Sequence, residues 1–241
     1  MTAKLKPSWA GDDLLSQFVN ALISIKPIFT LMKQQARKVL IKTAETNGVP
    51  WRENRRQLEL AGIESMATAI ANPEIVYPDY YQVPFHAYDD GNLCWQAAFE
   101  AESATYAMAL RVWKDEPLTW QTAHDRLRHN FYDVVWQYVQ QPIEQILDVG
   151  CSVGISTHSL HRYCQTHQSQ APRTVGLDLS PQMLAVAKFQ DQHQAIADWV
   201  HGLAEQMPFT DDSFDLVTLQ FVLHELPDQA SKNIFQEIFA Y

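Results

Sequence analysis

Two acids and two glycines carry the pattern most able to do chemistry. The run Ile146-Leu147-Asp148-Val149-Gly150-Cys151-Ser152-Val153-Gly154 reads as a buried strand ending in a tight turn, and Ile155-Ser156-Thr157 opens a stretch suited to a helix. A strand, tight turn and helix start brings backbone N–H groups to a ligand and aims a helix N-terminus at it. Gly150 and Gly154 stand where a Cβ would obstruct either the turn or the ligand's approach. Thr174-Val175-Gly176-Leu177-Asp178-Leu179-Ser180-Pro181 reads as a second buried strand that delivers the carboxylate of Asp178 at its C-terminal end. A carboxylate there suits a ribose diol, because it accepts hydrogen bonds from both hydroxyls. His224-Glu225 follows a fourth strand, at the edge where open α/β sheets bind ligands, so either residue is a candidate catalytic proton acceptor.

The elements that must position these residues are legible around them. Ser180 is an N-cap and Pro181 suits the first helical position of Gln182-Met183-Leu184-Ala185-Val186-Ala187-Lys188. A third strand and turn is expected over residues 197–205, and a long apolar fourth strand over 214–223, broken by His224-Glu225-Leu226-Pro227. Strands alternating with helices imply parallel βαβ units and an α/β, Rossmann-like doubly wound sheet. Residues 1–140 read as a mainly helical N-terminal extension and a candidate substrate lid. Helical patterns run over 14–43 with a break or kink at Pro27, over 51–71, 91–113 and 119–138. Between the second and third lies an aromatic segment, Tyr77 to Gly91. It is either the wall of a pocket for a flat acceptor and a sulfonium, or a loop anchored by buried rings.

From these motifs the stretch 146–230 resembles a class I S-adenosylmethionine-dependent methyltransferase, of the group that includes the ubiquinone and menaquinone C-methyltransferases. The resemblance implies S-adenosyl-L-methionine as cofactor and a small-molecule acceptor, with a quinone-like or isoprenoid ring favoured. It implies that Asp148, Gly150, Cys151, Ser152 and Gly154 hold the methionine end and that Asp178 binds the ribose. Met183 is then set against the adenine face and the turn at Leu203, Ala204 and Glu205 beside the adenine edge, with Leu179 and Gln220 completing the donor set. Leu203 departs from the acid that relatives often carry there. The family normally continues into further strands, so 141–241 is expected to be a donor-binding domain shortened after its fourth strand. That would leave an apolar sheet edge open to self-association, and the whole could be an inactive donor-binding module.

Other chemistries fit less well. Gly150-Cys151-Ser152-Val153-Gly154 also satisfies the nucleophile pattern of a serine hydrolase, with Asp215 and His224 in the right chain order. Such a site has no use for Asp148 and Asp178, and it would set acid and histidine nine residues apart. A dinucleotide-binding dehydrogenase would want a third glycine near Ser156. His158 and His161 lie one helical turn apart, yet no third metal ligand stands out.

The 241 residues carry a formal charge of −10, which argues against a nucleic-acid substrate. Residues 1–50 hold seven Lys/Arg against three acids, a balance of +4, so the remainder carries −14. The basic piece 33–42 reads as a solvated helix face. Three cysteines without paired spacing suggest free thiols, and no apolar run suits a membrane span or a signal peptide, so a cytoplasmic enzyme is expected.

Overall fold

A computed structural model describes residues 26–84 and 88–241. The chain divides into two compact units, Met1–Thr43 and Ala44–Tyr241. Most of helix α1, Lys26–Thr46, belongs to the first. Pro27 is the second described residue of this helix, and the segment before Lys26, where the expected break would show, lies outside the described residues. The apolar positions expected at Leu15, Phe18, Val19, Leu22 and Ile23 lie outside the described residues.

The second unit begins with helices α2 (Trp51–Leu60), α3 (Glu64–Ile70), α4 (Trp95–Val112) and α5 (Trp120–Trp136). The continuous helix expected over 51–71 is two helices. Gly62 adopts φ +64° and turns the chain, which sends Ile63 into a cluster with Leu58, Ala97, Phe99, Met183 and Val186. There follow β1 (Gln145–Val149), α6 (Ile155–His167), β2 (Arg173–Asp178), α7 (Pro181–Gln190), β3 (Asp198–His201), β4 (Leu216–Leu219) and α8 (Asp228–Ile238). The strands form one parallel sheet in the order β3-β2-β1-β4, with Leu147 level with Val175 on one side and Val217 on the other.

Both faces of this sheet are covered, as parallel sheets require. Leu147, Val149, Val175, Leu177 and Met207 form one buried layer, and Ile146, Leu160, Cys164 and Tyr132 another. The N-terminal helices pack straight onto the sheet half: α3 and α4 lie against α7, and α5 lies against α6. All of them belong to the unit that starts at Ala44.

The fourth strand is shorter than its apolar run. It stops at Leu219, and Phe221 takes a left-handed φ of +59°, so the chain leaves the sheet before a short 3-10 turn at Leu223–Glu225. The third strand likewise ends at His201, where the N–H of Gly202 donates to the carbonyl of Asp178.

Ser180 caps α7 as its sequence position predicts. Its hydroxyl accepts from the N–H of Met183 at 3.3 Å and donates to the carbonyl of Asn92 at 2.8 Å. Ser180→Ala is expected to cost about 1–2 kcal/mol, because it removes a cap and the donor to a half-buried carbonyl together. Urea denaturation would measure it, and a shift under about 0.5 kcal/mol would sink the double role.

Candidate functional site

The turn after β1 is built from left-handed residues. Gly150 has φ +69°, Ser152 +51° and Gly154 +80°. The N–H groups of Gly150 and Cys151 both donate to the carbonyl of Leu177, at 2.8 and 3.0 Å, which ties the turn to β2. A Cβ on Gly150 would lie 2.4 Å from Val222 Cγ2, and one on Gly154 would lie 2.5 Å from Trp199 Cη2. The close approach at both glycines is therefore made by the protein's own side chains. Cys151 packs among Leu184, Ala187, Ile196 and Trp199, and burial pushes its thiol up.

Asp148 is fully enclosed. Its Oδ2 accepts from the hydroxyls of Ser156 at 2.7 Å and Thr157 at 2.8 Å, and its Oδ1 accepts from Thr218 at 2.8 Å. Burial raises its carboxyl, and the three hydroxyls oppose that. The side chain thus clamps β1, the start of α6 and β4 together, where the resemblance gave it a place at the methionine end.

Asp178 sits at the end of β2 beside the turn. Its Oδ2 accepts from the N–H of Ser152 and its Oδ1 from the N–H of Ser180, each at 2.8 Å. The N–H of Leu179 bears on the same carboxylate. Burial pushes the carboxyl up to about 6, against the pull of those N–H groups, so it is ionised at neutral pH. Met183 lies in the helical cluster with its sulfur 3.5 Å from the hydroxyl of Ser152. Leu203 and Ala204 form a turn closed by the N–H of Gln206 on the carbonyl of Leu203.

Residues 72–81 lie over this end of β2 and β3. The N–H of Asn72 donates to Nδ1 of His201 at 2.8 Å, so Nε2 carries the ring proton and faces the carbonyl of Leu179 at 3.1 Å. The hydroxyl of Tyr77 is 3.2 Å from the same Nε2, and that of Tyr80 donates to Glu205. Phe85 and His86 of the aromatic segment lie outside the described residues.

Beyond β4 the expected proton-acceptor pair divides. The carboxylate of Glu225 is largely buried and accepts from the amide of Asn92 at 3.0 Å, whereas the His224 side chain is 59% exposed. Burial pushes Glu225 up to about 7; the Asn92 bond lowers it and the nearby Asp178 raises it further. The aromatic segment, Asn92, Asp178 and Glu225 thereby share one edge of the sheet, its C-terminal edge.

Residues 147–240 match the methyltransferase domain family. The match covers less than half of the chain, and over it residues 147–240 are similar to methyltransferase domains, whose methyl donor is S-adenosylmethionine. Among curated relatives, the demethylmenaquinone methyltransferase of Lactiplantibacillus plantarum is 40% identical over 89 residues, 35% of each chain. That of Staphylococcus haemolyticus is 39% identical over 82 residues, 34% of this chain and 33% of its own. The chain thus spans about a third of the length of these relatives. A solved structure, the YcgJ protein of Bacillus subtilis, is 23% identical, covers 46% of this chain and 44% of its own, and has a TM-score of 0.37.

The sheet does not assemble the hydrolase alternative. The Ser152 hydroxyl faces the sulfur of Met183, and Asp215 accepts from the N–H groups of Glu144 and Gln145 at the N-terminal end of β1. A five-residue strand, about 16 Å, separates that end from Ser152. His161 bonds Thr174, His158 lies 4.0 Å from Asp191, and no metal-binding group of three exists among the described residues. No helix among them is long and apolar enough to cross a membrane. Sequence reasoning missed Asn92, His201 and Arg128. The last, on α5, is 5% exposed and donates to Gln220 at 2.8 Å. The spacing of His124, Arg128 and Tyr132, four residues apart on one helix face, was a usable signal.

Proposed function

We propose that this chain binds S-adenosylmethionine at the turn 150–154 and Asp178 and moves its methyl group to a quinone-like aromatic ring carbon. The observation that carries the reading is the Asp178 carboxylate, held by the Ser152 and Ser180 N–H groups at the end of β2 beside a left-handed turn. A carboxylate acceptor so placed fits a ribose diol. The cofactor would supply an already activated methyl on a sulfonium, which leaves the protein to align the partners and remove a proton. Asp178 would hold the ribose, the turn at Leu203 and Ala204 would border the adenine, and Gln220 would lie toward the methionine end. Glu225, poised near neutrality and steadied by Asn92, would accept the ring proton displaced by the methyl group. The helices and the aromatic segment before β1 would form the acceptor wall, and the free edge of β4 would be the place of any self-association.

The names of the curated relatives support demethylmenaquinone, in its reduced form, as the first acceptor to try. Calorimetry with S-adenosylhomocysteine tests the donor site. The parent is expected to bind, and Asp178→Ala to bind about 100-fold more weakly, for two charge-assisted hydrogen bonds lost. Equal affinity in both proteins would overturn the assignment of Asp178. Binding without turnover of any ring acceptor would favour a donor-binding module.

A further inference from the structure

We propose that Arg128 is the anion anchor of this site and receives the carboxylate at the methionine end of the methyl donor, an inference that rests on the donor reading above. Arg128 is 5% exposed, yet among the described residues no carboxylate pairs with it. Its hydrogen-bond partners are neutral: Nε donates to Nε2 of His124 at 3.4 Å, and Nη1 donates to Oε1 of Gln220 at 2.8 Å. His124 is held neutral by burial and by the guanidinium itself, which push it down to about 4. Asp148 feels the guanidinium, but its oxygens already serve three hydroxyls. Asp148 thus offsets the charge without a hydrogen bond to it, and a buried guanidinium with no directly bonded anion points to one that arrives with a ligand.

The surroundings say which anion. A guanidinium carries five N–H donors in a planar fork, and Arg128 commits two of them. Beside it, Nε2 of Gln220 is buried without a hydrogen bond of full geometry, with the Tyr132 hydroxyl as its nearby acceptor. Two adjacent sets of uncommitted donors are the chemistry that receives a carboxylate. The ring of Phe221, forced into its left-handed conformation, lies 5.1 Å from the guanidinium carbon and shields one face. Tyr132, one helical turn on, donates to the carbonyl of Ser156 at 3.1 Å and seats this part of α5 against the start of α6. Arg128 therefore lies on the β1/β4 side of the turn 150–154, while Asp178 lies on its β2 side. An elongated ligand with a diol at one end and a carboxylate at the other spans that arrangement.

Calorimetry with two ligands separates this assignment from the reading beneath it. S-Adenosylhomocysteine carries the amino-acid end, and 5′-methylthioadenosine lacks it. Arg128→Met is expected to weaken S-adenosylhomocysteine about 30- to 100-fold and to leave 5′-methylthioadenosine within twofold, with Arg128→Lys between parent and Met. The ligand-free Arg128→Met protein should melt within a few degrees of the parent, because relief of a buried charge offsets the attraction to Asp148 that is lost. Unchanged affinity for S-adenosylhomocysteine, or an equal loss for both ligands, overturns the anchor and leaves the donor site standing. A parent that binds neither ligand overturns the donor reading and the anchor with it.

Discussion

Gly154→Ala is expected to destabilise the unit by about 3 kcal/mol. Two effects add. A residue with a Cβ needs about 1–2 kcal/mol to adopt the left-handed conformation that Gly154 holds at φ +80°. The added carbon would also lie 2.5 and 3.0 Å from two ring atoms of Trp199 and 3.2 Å from the Cβ of Ala187. Trp199 is itself buried among Cys151, Leu184 and Ile196, so the ring has nowhere to swing, and overpacking of this kind costs about 1–3 kcal/mol. Urea denaturation measures the sum, and the double variant Gly154→Ala/Trp199→Leu divides it. Removing the ring should return the overpacking part and leave the conformational part. A loss below about 1 kcal/mol in the single variant would mean that the turn relaxes and that Gly154 is not needed for packing.

That contact also marks how far the sequence could be read. The strand, turn and helix at 145–167 were legible because glycine at a left-handed position and apolar runs at strand length are local demands, written where they act. The partner that crowds Gly154 was not legible: Trp199 lies 45 positions on and meets it only when β3 joins the sheet. The break at Gly62 was missed for a similar reason, since one glycine in a helical pattern leaves the pattern intact and only the burial of Ile63 selects the turn. The early end of β4 was hidden by its own composition. Phe221-Val222-Leu223 continues an apolar strand, yet Val222 packs over Gly150 while Phe221 and Leu223 remain exposed. Arg126 and Arg128 look equivalent in Asp125-Arg126-Leu127-Arg128-His129. Arg126 pairs outward with Glu116, and the packing of α5 on α6 alone turns Arg128 inward. Of the proposed site, the local parts could be read, and the aromatic segment as one of two readings, whereas Asn92 and Arg128 could not.

Glu225→Gln should give the largest functional effect, about a 10²- to 10³-fold fall in methyl transfer at saturating donor, the range for a lost proton acceptor. The substitution keeps an oxygen for the Asn92 amide, so the local hydrogen bond survives. The pH dependence makes the assignment specific. With its carboxyl pushed up to about 7 by burial, Glu225 is protonated and idle in mild acid, so the parent rate should climb tenfold per pH step below 7 and level off above it. The rate of the Glu225→Gln variant should lack that limb. Stability should move the opposite way. A carboxyl raised in the folded state contributes stability that is complete below its unfolded value of 4.5 and is lost as pH rises through about 7. At pH 8 that loss approaches about 3 kcal/mol, at 1.36 kcal/mol per unit. Glu225→Gln should therefore match the parent in urea near pH 4 and exceed it at pH 8. His224 Nε2 lies 3.8 Å from Glu225 Oε1, so His224→Gln removes that contact but should keep the rate limb, which belongs to the carboxylate. If the rate limb survives in Glu225→Gln and vanishes in His224→Gln, the proton goes to the histidine and the burial of Glu225 has another cause.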